Sequence, residues 1–340
     1  MKLSTLYRVV GTVSLAVLVL IGFEVFTFSS DELKTEDQNF QEKFNEDYRV
    51  YSLNIPENLT FCGEEVPVYD QDVYERLDRE LLVNTYWQSN SLLYHKRASK
   101  WFPIIEPILK EHGVPEDFKY LALIESGLMN VVSPAGATGF WQILKKTAQE
   151  YGLEVNSNVD ERYHVEKATE AACKYLNEAQ ERFGSWTLAA ASYNMGMGGV
   201  NRQLARQSVD NYYDLLLNAE TSRYVFRIIA AKEILENPTK YGFHYRFKDL
   251  YLPPETYQVK VDSAIHDLPT FAEAHNANYK ILKIFNPWLR EAHLNNGSRK
   301  QYTFDFPKSG YHDFRSTEVE TTRPATESSN DTLQTIEGDE

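Results

Sequence analysis

The chain has few of the residues from which metal centres and disulfide frameworks are built. It contains two cysteines in 340 residues, Cys62 and Cys173, and it has no C-x-x-C spacing of the kind that binds zinc. Cys173 falls in the helical pattern EAACKYLNEA, where a cysteine is expected to act as a small buried apolar residue. Whether the two cysteines form a disulfide stays open from the sequence. The pattern therefore excludes a C-x-x-C metal site.

Positive charge is scarce relative to negative charge. Lys and Arg together number 35 against 49 Asp and Glu, which gives a net charge of −14. A nucleic-acid binder has to neutralise phosphates with basic side chains, so this balance argues against that class of protein. The hydrophobic content of 42% and the charged content of 25% are ordinary for a globular protein with a core.

The N-terminal segment has the composition of an export signal but no evident cleavage site. Lys2 and Arg8 precede an apolar run at residues 9–23, which resumes after Glu24 and continues to Phe28. A basic segment before an apolar core is typical of a signal sequence. Counted through Phe28, the run reaches the length of about 20 residues that a membrane span needs. We expect an uncleaved signal anchor, with a cleaved signal peptide as the alternative, and export of the rest of the chain.

The distribution of helix and strand signals divides the chain into domains. From residue 101 to 241 apolar residues recur at helical spacing with almost no strand signal. Beyond Gly242, the segments YQVKV and YTFDF alternate like strands and flank two short helical patterns. The predicted fold class is mainly α, with a small α+β module of βααβ order after the helical domain.

The predicted domain boundaries follow from these signals. They are a signal segment at 1–29, a linker and surface strap at 30–66, N-terminal helices at 67–100, a helical domain at 101–243, the α+β module at 244–312 and a disordered acidic tail at 313–340. Within the helical domain we predict helices at 145–152, 165–183, 187–193, 211–216 and 222–236, with breaks at Gly184, Gly196, Gly198 and Gly199.

The stretch LIESGLMNVVSPAGATGFWQI places one carboxylate beside a glycine-rich turn. A helical pattern starts at Pro115, and Gly127 is a candidate C-cap, so Glu125 lies at the C-terminal end of a helix. There it faces the negative end of the helix dipole, and an apolar lining would disfavour its charged form. Both effects raise the pKa of Glu125, which makes it a candidate general acid. The alternative is a solvated glutamate that ends an ordinary helix.

The turn after Glu125 suggests a ligand site. Small residues such as Ser133 and Gly139 let backbone come close to a ligand. In FWQ at 140–142 the aromatics can wall a groove, although such residues more often lie in a core, and Gln142 can offer an amide to a sugar hydroxyl or acetamido group.

Two further clusters lie downstream. Tyr193 and Asn194 end a small-residue helix just before a sharp glycine turn. Glu220 and Tyr224 are one helical turn apart and can share a face, although a core position for Tyr224 is equally compatible with the pattern.

Together these motifs resemble the lytic transglycosylase domain, which has a goose-lysozyme-like fold, and specifically the membrane-bound murein transglycosylase D type. The matching stretches are ESG at 125–127, GATGFWQ at 136–142, ASYNMG at 191–196, ETSRYV at 220–225 and an ending of NP followed by YGF at 237–243. They occur in order over about 140 residues of the chain.

The resemblance implies a lysozyme-like helical domain around a long saccharide groove, with peptidoglycan as the substrate. Glu125 would protonate the oxygen between N-acetylmuramic acid and N-acetylglucosamine, and then act as base on the C6 hydroxyl of the muramyl sugar. This route gives a 1,6-anhydro end without water, and it accounts for the missing second carboxylate. The residues that the resemblance places around the sugar are Ser133, Gly139, Gln142, Tyr193, Asn194, Glu220 and Tyr224. It implies no metal or organic cofactor, and a periplasmic location with residues 9–28 as the membrane anchor.

The α+β module resembles a divergent LysM domain, which is a peptidoglycan-binding unit. The matching stretches are LPTFAE at 268–273, Leu282 and FNPWL at 285–289. The module would either bind glycan or act as a structural cap on the helical domain. For the whole chain, the alternatives to a lytic transglycosylase are a goose-type lysozyme-like hydrolase, a peptidoglycan-binding scaffold with little activity, and a helical protein-interaction module.

Overall fold

Helices account for most of the described chain, as the sequence predicts. The computed structural model describes residues 38, 39, 43 and 50–308. The predicted signal segment at 1–29 and the predicted acidic tail at 313–340 lie outside the described residues. From Leu53 onward the described chain belongs to one compact unit. Within the described ranges, no helix has both the length and the apolar character that a membrane crossing requires.

The helical part starts with a short hairpin of β1 (Thr60–Phe61) and β2 (Glu64–Glu65). The α-helices that follow are α1 (Gln71–Tyr86), α2 (Gln88–Glu111), α3 (Phe118–Ser126), α4 (Lys145–Glu150), α5 (Val165–Phe183), α6 (Trp186–Met195), α7 (Met197–Gln207) and α8 (Thr221–Glu236).

The short helix α3 lies at the centre of this domain. Phe118, Leu121 and Leu123 are fully buried in it, so apolar side chains hold the helix on more than one face. Gly127 ends α3 in the left-handed conformation at φ 61°, and its N–H donates to the carbonyl of Leu123 at 2.8 Å. α8 packs against α1, α3 and α6, and so brings the ends of several elements together.

Two details of the predicted helical pattern are wrong. Gly198 and Gly199 do not break the chain but lie in the first turn of α7. A Cβ on Gly199 would lie 3.3 Å from the Met195 side chain, so a small residue there allows α7 to start close against α6. The predicted helix at 211–216 is a turn, in which the side chain of Asn211 accepts a hydrogen bond from the backbone N–H of Asp214.

The C-terminal module has the predicted order of strand, helix, helix and strand. Its elements are β3 (Thr256–Val261), α9 (Leu268–Glu273), α10 (Tyr279–Phe285) and β4 (Tyr302–Pro307). β3 and β4 are antiparallel, with Thr256 opposite Pro307 and Val261 opposite Tyr302. The apolar core of this module also includes Val159 and Tyr163, which belong to the helical part of the chain.

The cysteines are free thiols in the structure. Cys173 is fully buried in α5, as predicted, and Cys62 is half-buried in the turn between β1 and β2. Burial raises the pKa of both thiols, which disfavours the reactive thiolate form.

Candidate active site

Glu125 lies in the last turn of α3 with its side chain half-buried. The hydroxyl of Tyr224, which is 1% exposed on α8, donates a hydrogen bond to Oε1 of Glu125. Arg227, three residues further along α8, donates from Nη2 to the carbonyl of Ile124 at 3.1 Å. The end of α3 is therefore held against α8 by two side chains of the same helix.

The net effect of these surroundings is to raise the pKa of Glu125. Burial is the largest cause and disfavours the carboxylate. The hydrogen bond from Tyr224 and the charge of Arg227 lower the pKa, whereas the charge of Glu220 raises it. The predicted direction of the shift is thus confirmed. The pKa of Tyr224 is raised well above its usual value by burial and by Glu125, so this hydroxyl remains a donor at neutral pH.

The end of α6 closes the site on another side. The hydroxyl of Tyr193 donates to the carbonyl of Trp141 at 2.7 Å, and burial together with the charge of Glu125 raises the pKa of Tyr193. Asn194 donates from Nδ2 to Glu220 at 3.0 Å and accepts from the hydroxyl of Thr221 at 2.7 Å. These bonds join the end of α6 to the start of α8.

The glycine-rich loop, residues 133–143, runs beside α3 and is closed by its own polar groups. The hydroxyl oxygen of Ser133 accepts from the N–H of Ala137 at 3.0 Å. Gln142, at φ 46°, donates from Nε2 to the carbonyls of Val131 at 3.0 Å and Gly139 at 2.8 Å. The hydroxyl of Ser126, next to Glu125, donates to the carbonyl of Phe140 at 2.9 Å. The loop is thereby attached to the helix that carries Glu125.

Two interpretations of this loop need correction. Phe140 and Trp141 do not wall a groove: they are 2% and 0% exposed, and the indole of Trp141 donates to Thr169 at 2.9 Å inside the core. The requirement for glycine at 139 comes from packing, since a Cβ there would lie 2.0 Å from the carbonyl oxygen of Arg162. Gly139 is buried, its N–H donates to the carbonyl of Val131, and its carbonyl accepts from Gln142, so it has a supporting role in the observed fold.

Sequence reasoning missed two arginines at the site. Arg227 follows Tyr224 by three residues on α8, and this spacing was a usable signal. Arg162 is buried and donates from Nη1 to the carbonyls of Gly136 at 3.0 Å and Ile143 at 3.1 Å. Gly136 lies 26 residues before Arg162 in the sequence, and no local pattern predicts that contact. Among the described residues, no group of three or more His, Cys, Asp or Glu side chains could hold a metal ion.

The chain matches two known domain families. Residues 102–215 match the transglycosylase SLT domain, and residues 257–310 match the soluble lytic transglycosylase C-terminal LysM-like domain. Similar proteins include the membrane-bound lytic murein transglycosylases D of Escherichia coli strain K12 and of a second strain, O6:H1. Each is 27% identical over 249 residues, which cover 69% of this chain and 52% of the relative. The chain thus spans about half the length of the curated relatives it matches.

Two solved structures of lytic transglycosylases align with part of this chain. The soluble lytic transglycosylase Slt70 of Escherichia coli aligns with a TM-score of 0.35 and 20% identity, over 43% of this chain and 27% of its own. An inactive mutant of the lytic transglycosylase Slt from Pseudomonas aeruginosa aligns with a TM-score of 0.32 and 19% identity, over 44% of this chain and 26% of its own. From the two domain matches, residues 102–215 belong to the transglycosylase SLT domain family, and residues 257–310 belong to the LysM-like C-terminal domain family of the soluble lytic transglycosylases.

Proposed function

We propose that this protein is a peptidoglycan lytic transglycosylase. It would cleave the β-1,4 bond between N-acetylmuramic acid and N-acetylglucosamine without water, leave a 1,6-anhydro end and so contribute to cell-wall remodelling. The observation that carries the proposal is the environment of Glu125, a half-buried carboxyl with a raised pKa that receives a hydrogen bond from Tyr224. The matched SLT domain and the murein transglycosylases among the relatives support the same activity.

In the first step, Glu125 acts as general acid. Its raised pKa favours the protonated form, which can donate to the glycosidic oxygen as the bond to the muramyl C1 breaks. The carboxylate that forms keeps its hydrogen bond from Tyr224 and lies in the field of Arg227. Both interactions favour the charged form, so they stabilise the product of the proton transfer.

In the second step, the same residue acts as base. The C6 hydroxyl oxygen of the muramyl sugar bonds to C1, and its proton passes to the Glu125 carboxylate, which restores the acid. Ordinary glycosidases use two carboxyl groups, one of which acts on water or attacks the sugar. Glu220 is a nearby acid, but its carboxylate accepts a hydrogen bond from Asn194, which suits an orienting role. The proposed sugar-binding residues are Ser133, Gln142, Tyr193, Asn194, Glu220 and Tyr224, and Gly139 would contribute by shaping the loop that carries Ser133 and Gln142.

We further propose that the protein acts in the periplasm and is attached to the membrane through residues 9–28. The relatives named as membrane-bound murein transglycosylases support this location, as does the composition of the N-terminal segment. The domain boundaries that we proposed from the sequence enclose both matched regions, since 102–215 falls within 101–243 and 257–310 falls within 244–312.

Digestion of purified sacculi tests the activity. The unaltered chain should release muropeptides whose mass is lower by one water than that of hydrolysed products. Glu125→Gln should reduce turnover by at least about 10²-fold, the usual contribution of a general acid, and retain binding to sacculi. Glu181→Gln, which alters an exposed glutamate on α5, is the matched control and should keep full turnover.

The alternative functions give different results in the same assay. Products of full hydrolytic mass would identify a goose-type lysozyme-like hydrolase. Binding to sacculi without any turnover would identify a scaffold. Unchanged turnover in Glu125→Gln would remove Glu125 as the acid.

A further inference from the structure

Residues 154–163 of the helical domain contact the C-terminal module at several points, which together are called the junction here. Asn158 is 6% exposed and exchanges two side-chain hydrogen bonds with the module: its Nδ2 donates to the carbonyl of His293, and its Oδ1 accepts from the N–H of Asn295, both at 2.8 Å. Its backbone carbonyl accepts from the N–H of Arg290 at 2.9 Å. A buried asparagine that makes two side-chain bonds and one backbone bond fixes the register between the two parts of the chain.

Apolar and charged contacts extend this junction. Val159 and Tyr163 are part of the core of the C-terminal module, and the guanidinium of Arg290 lies 4.0 Å from the centre of the Tyr163 ring. At the edge, Nζ of Lys300 contacts the carboxylate of Glu154 at 2.6 Å. The module is therefore docked on the helical domain through a buried surface as well as linked to it by the chain.

The same segment holds the glycine-rich loop. The N–H of Asp160 donates to the carbonyl of Trp288 at 2.9 Å, so the module fixes the backbone of Asp160 directly. The Asp160 carboxylate in turn accepts two bonds from Arg162, at 2.9 Å from Nε and 2.7 Å from Nη2, and both side chains are buried. Arg162 then donates to the loop at two points, the carbonyls of Gly136 and Ile143.

A continuous set of contacts thus leads from the module to Glu125. After Arg162, the loop contacts α3 through the bond from Ser126 to Phe140, and it contacts α6 through the bond from Tyr193 to Trp141. We propose that docking of the C-terminal module positions the glycine-rich loop and thereby sets the rate at which Glu125 cleaves the glycan. Asn158, Asp160 and Arg162 are the positioning residues. This inference rests on the proposed function for its catalytic part and on the structure alone for its positioning part.

Asn158→Ala in the full-length chain tests both parts. The substitution removes two bonds at the junction without touching Arg162 or any residue of the site. Amide hydrogen exchange of Thr138 and Ile143, whose N–H groups bond across the loop, should become about tenfold faster because the support of Arg162 is loosened. On sacculi, kcat should fall about tenfold, the cost of a slightly misplaced catalytic group, while KM stays within about twofold. A module that only binds glycan would instead raise KM and leave loop exchange unchanged.

Asn278→Ala is the matched control. It removes a hydrogen bond of similar type, from the N–H of Ile281 to the Asn278 side chain, at the start of α10 in the same module and away from residues 154–163. It should leave loop exchange and kcat unchanged. Should Asn158→Ala fail to fold, Asn158→Ser carries the same readouts, since its shorter side chain cannot reach both His293 and Asn295.

A double-mutant cycle of Asn158→Ala and Arg162→Lys tests whether the two residues affect kcat through the same contacts or independently. Lysine keeps the positive charge but cannot make the forked contacts with Asp160 and the loop carbonyls. If Asn158 acts through Arg162, the double variant should be no slower than Arg162→Lys alone. Multiplicative loss of kcat, unchanged loop exchange in Asn158→Ala, or faster exchange with unchanged kcat would each overturn the proposal. If the unaltered chain released no anhydro products, the proposed function would fail, and the exchange measurement would still decide the positioning part.

Discussion

At the scale of single residues, opposing effects act on the pKa of one carboxyl group, that of Glu125. Burial of Glu125 and the charge of Glu220 favour the protonated acid, whereas the Tyr224 hydroxyl and Arg227 favour the carboxylate. A carboxyl group that first donates a proton and then accepts one has to form both the acid and the carboxylate easily. The structure provides this through burial that is offset by a donor and a cation, and that balance can be shifted in either direction by mutation.

The pH dependence of activity should report this balance. The acid step needs protonated Glu125, so kcat/KM should fall as the pH rises through the pKa of Glu125. Tyr224→Phe removes a bond that stabilises the carboxylate, so the pKa should rise further and the alkaline limb should move to higher pH. Glu220→Gln removes a negative charge that raises the pKa, so the limb should move to lower pH. The check is kcat/KM on soluble glycan strands across pH for the three proteins; shifts of the two variants in the same direction would contradict it.

What the sequence predicted at this scale depended on local pattern. Glu125 and Tyr224 stand out because a helix end and a one-turn spacing are visible in the sequence. Trp141 was misplaced because an aromatic residue after a glycine turn is compatible with either a wall or a core, and only the partner across the fold, Thr169, decides between them. The role of Arg162 at the loop carries no local signal, since its partners in the loop lie 19 and 26 residues away.

At the scale of elements, the glycine-rich loop depends on one close backbone contact. Gly136 and Gly139 have nearly the same φ, at 82° and 80°. A Cβ on Gly136 would meet nothing within 4 Å, whereas one on Gly139 would lie 2.0 Å from the carbonyl oxygen of Arg162. Gly136→Ala should therefore cost only the left-handed strain of about 1–2 kcal/mol in unfolding free energy. Gly139→Ala should cost about 1–3 kcal/mol more, because the backbone must move to admit the methyl group.

Urea unfolding of the two alanine variants measures this difference directly. Because φ is nearly the same at the two positions, the difference in unfolding free energy between the variants reports the packing of Gly139 on Arg162. Gly139→Ala should also lose most of its turnover, since the loop that it displaces is bonded to α3 and α6. Equal stabilities of the two variants would show that the contact with Arg162 relaxes without cost.

The N-terminal hairpin supports the site through a helix cap. Glu64 in β2 accepts from the backbone N–H groups of Trp186 at 2.6 Å and Thr187 at 3.0 Å, at the start of α6. A carboxylate at this end of a helix satisfies unpaired donors and favours the helix dipole. Glu64→Ala should lower the unfolding free energy by about 1–2 kcal/mol. The adjacent Glu65→Ala should change it by less than about 0.5 kcal/mol, because the exposed Glu65 caps no helix. Chemical denaturation of both variants is the test, and equal losses would rule out the cap.

Helix prediction from the sequence was accurate where periodicity was strong and failed where glycines intervened. The predicted helix at 165–183 has the observed bounds of α5, which has a clear apolar stripe and ends at Gly184 with φ 67°. The helix α7 was not predicted, because Gly198 and Gly199 usually end helices. In the fold, Gly199 instead allows close contact with the Met195 side chain. Such a contact is a property of the packed fold and is invisible to a local pattern.

At the scale of the whole molecule, the two matched domains share apolar core residues. Val159 and Tyr163 belong by sequence to the helical domain, but they are buried with Leu268, Trp288 and Phe304 in the C-terminal module. The sequence predicted two parts from the change in helix and strand signals after Gly242. It could not show that they share apolar residues, since the contacts join positions more than 100 residues apart.

A shared core predicts that the two parts unfold together. If the C-terminal module came away first, Val159 and Tyr163 would lose their apolar partners and the buried Asn158 its two side-chain bonds, so partial unfolding should be unfavourable. Differential scanning calorimetry of the full-length chain should show one transition for this unit. Its calorimetric enthalpy, roughly 180 kcal/mol for a unit of this size, should equal the van't Hoff enthalpy. Asn158→Ala should split or broaden the transition, whereas Asn278→Ala should lower its midpoint and leave a single peak. Two separate transitions in the unaltered chain would mean that the module folds on its own and that the junction adds little to its stability.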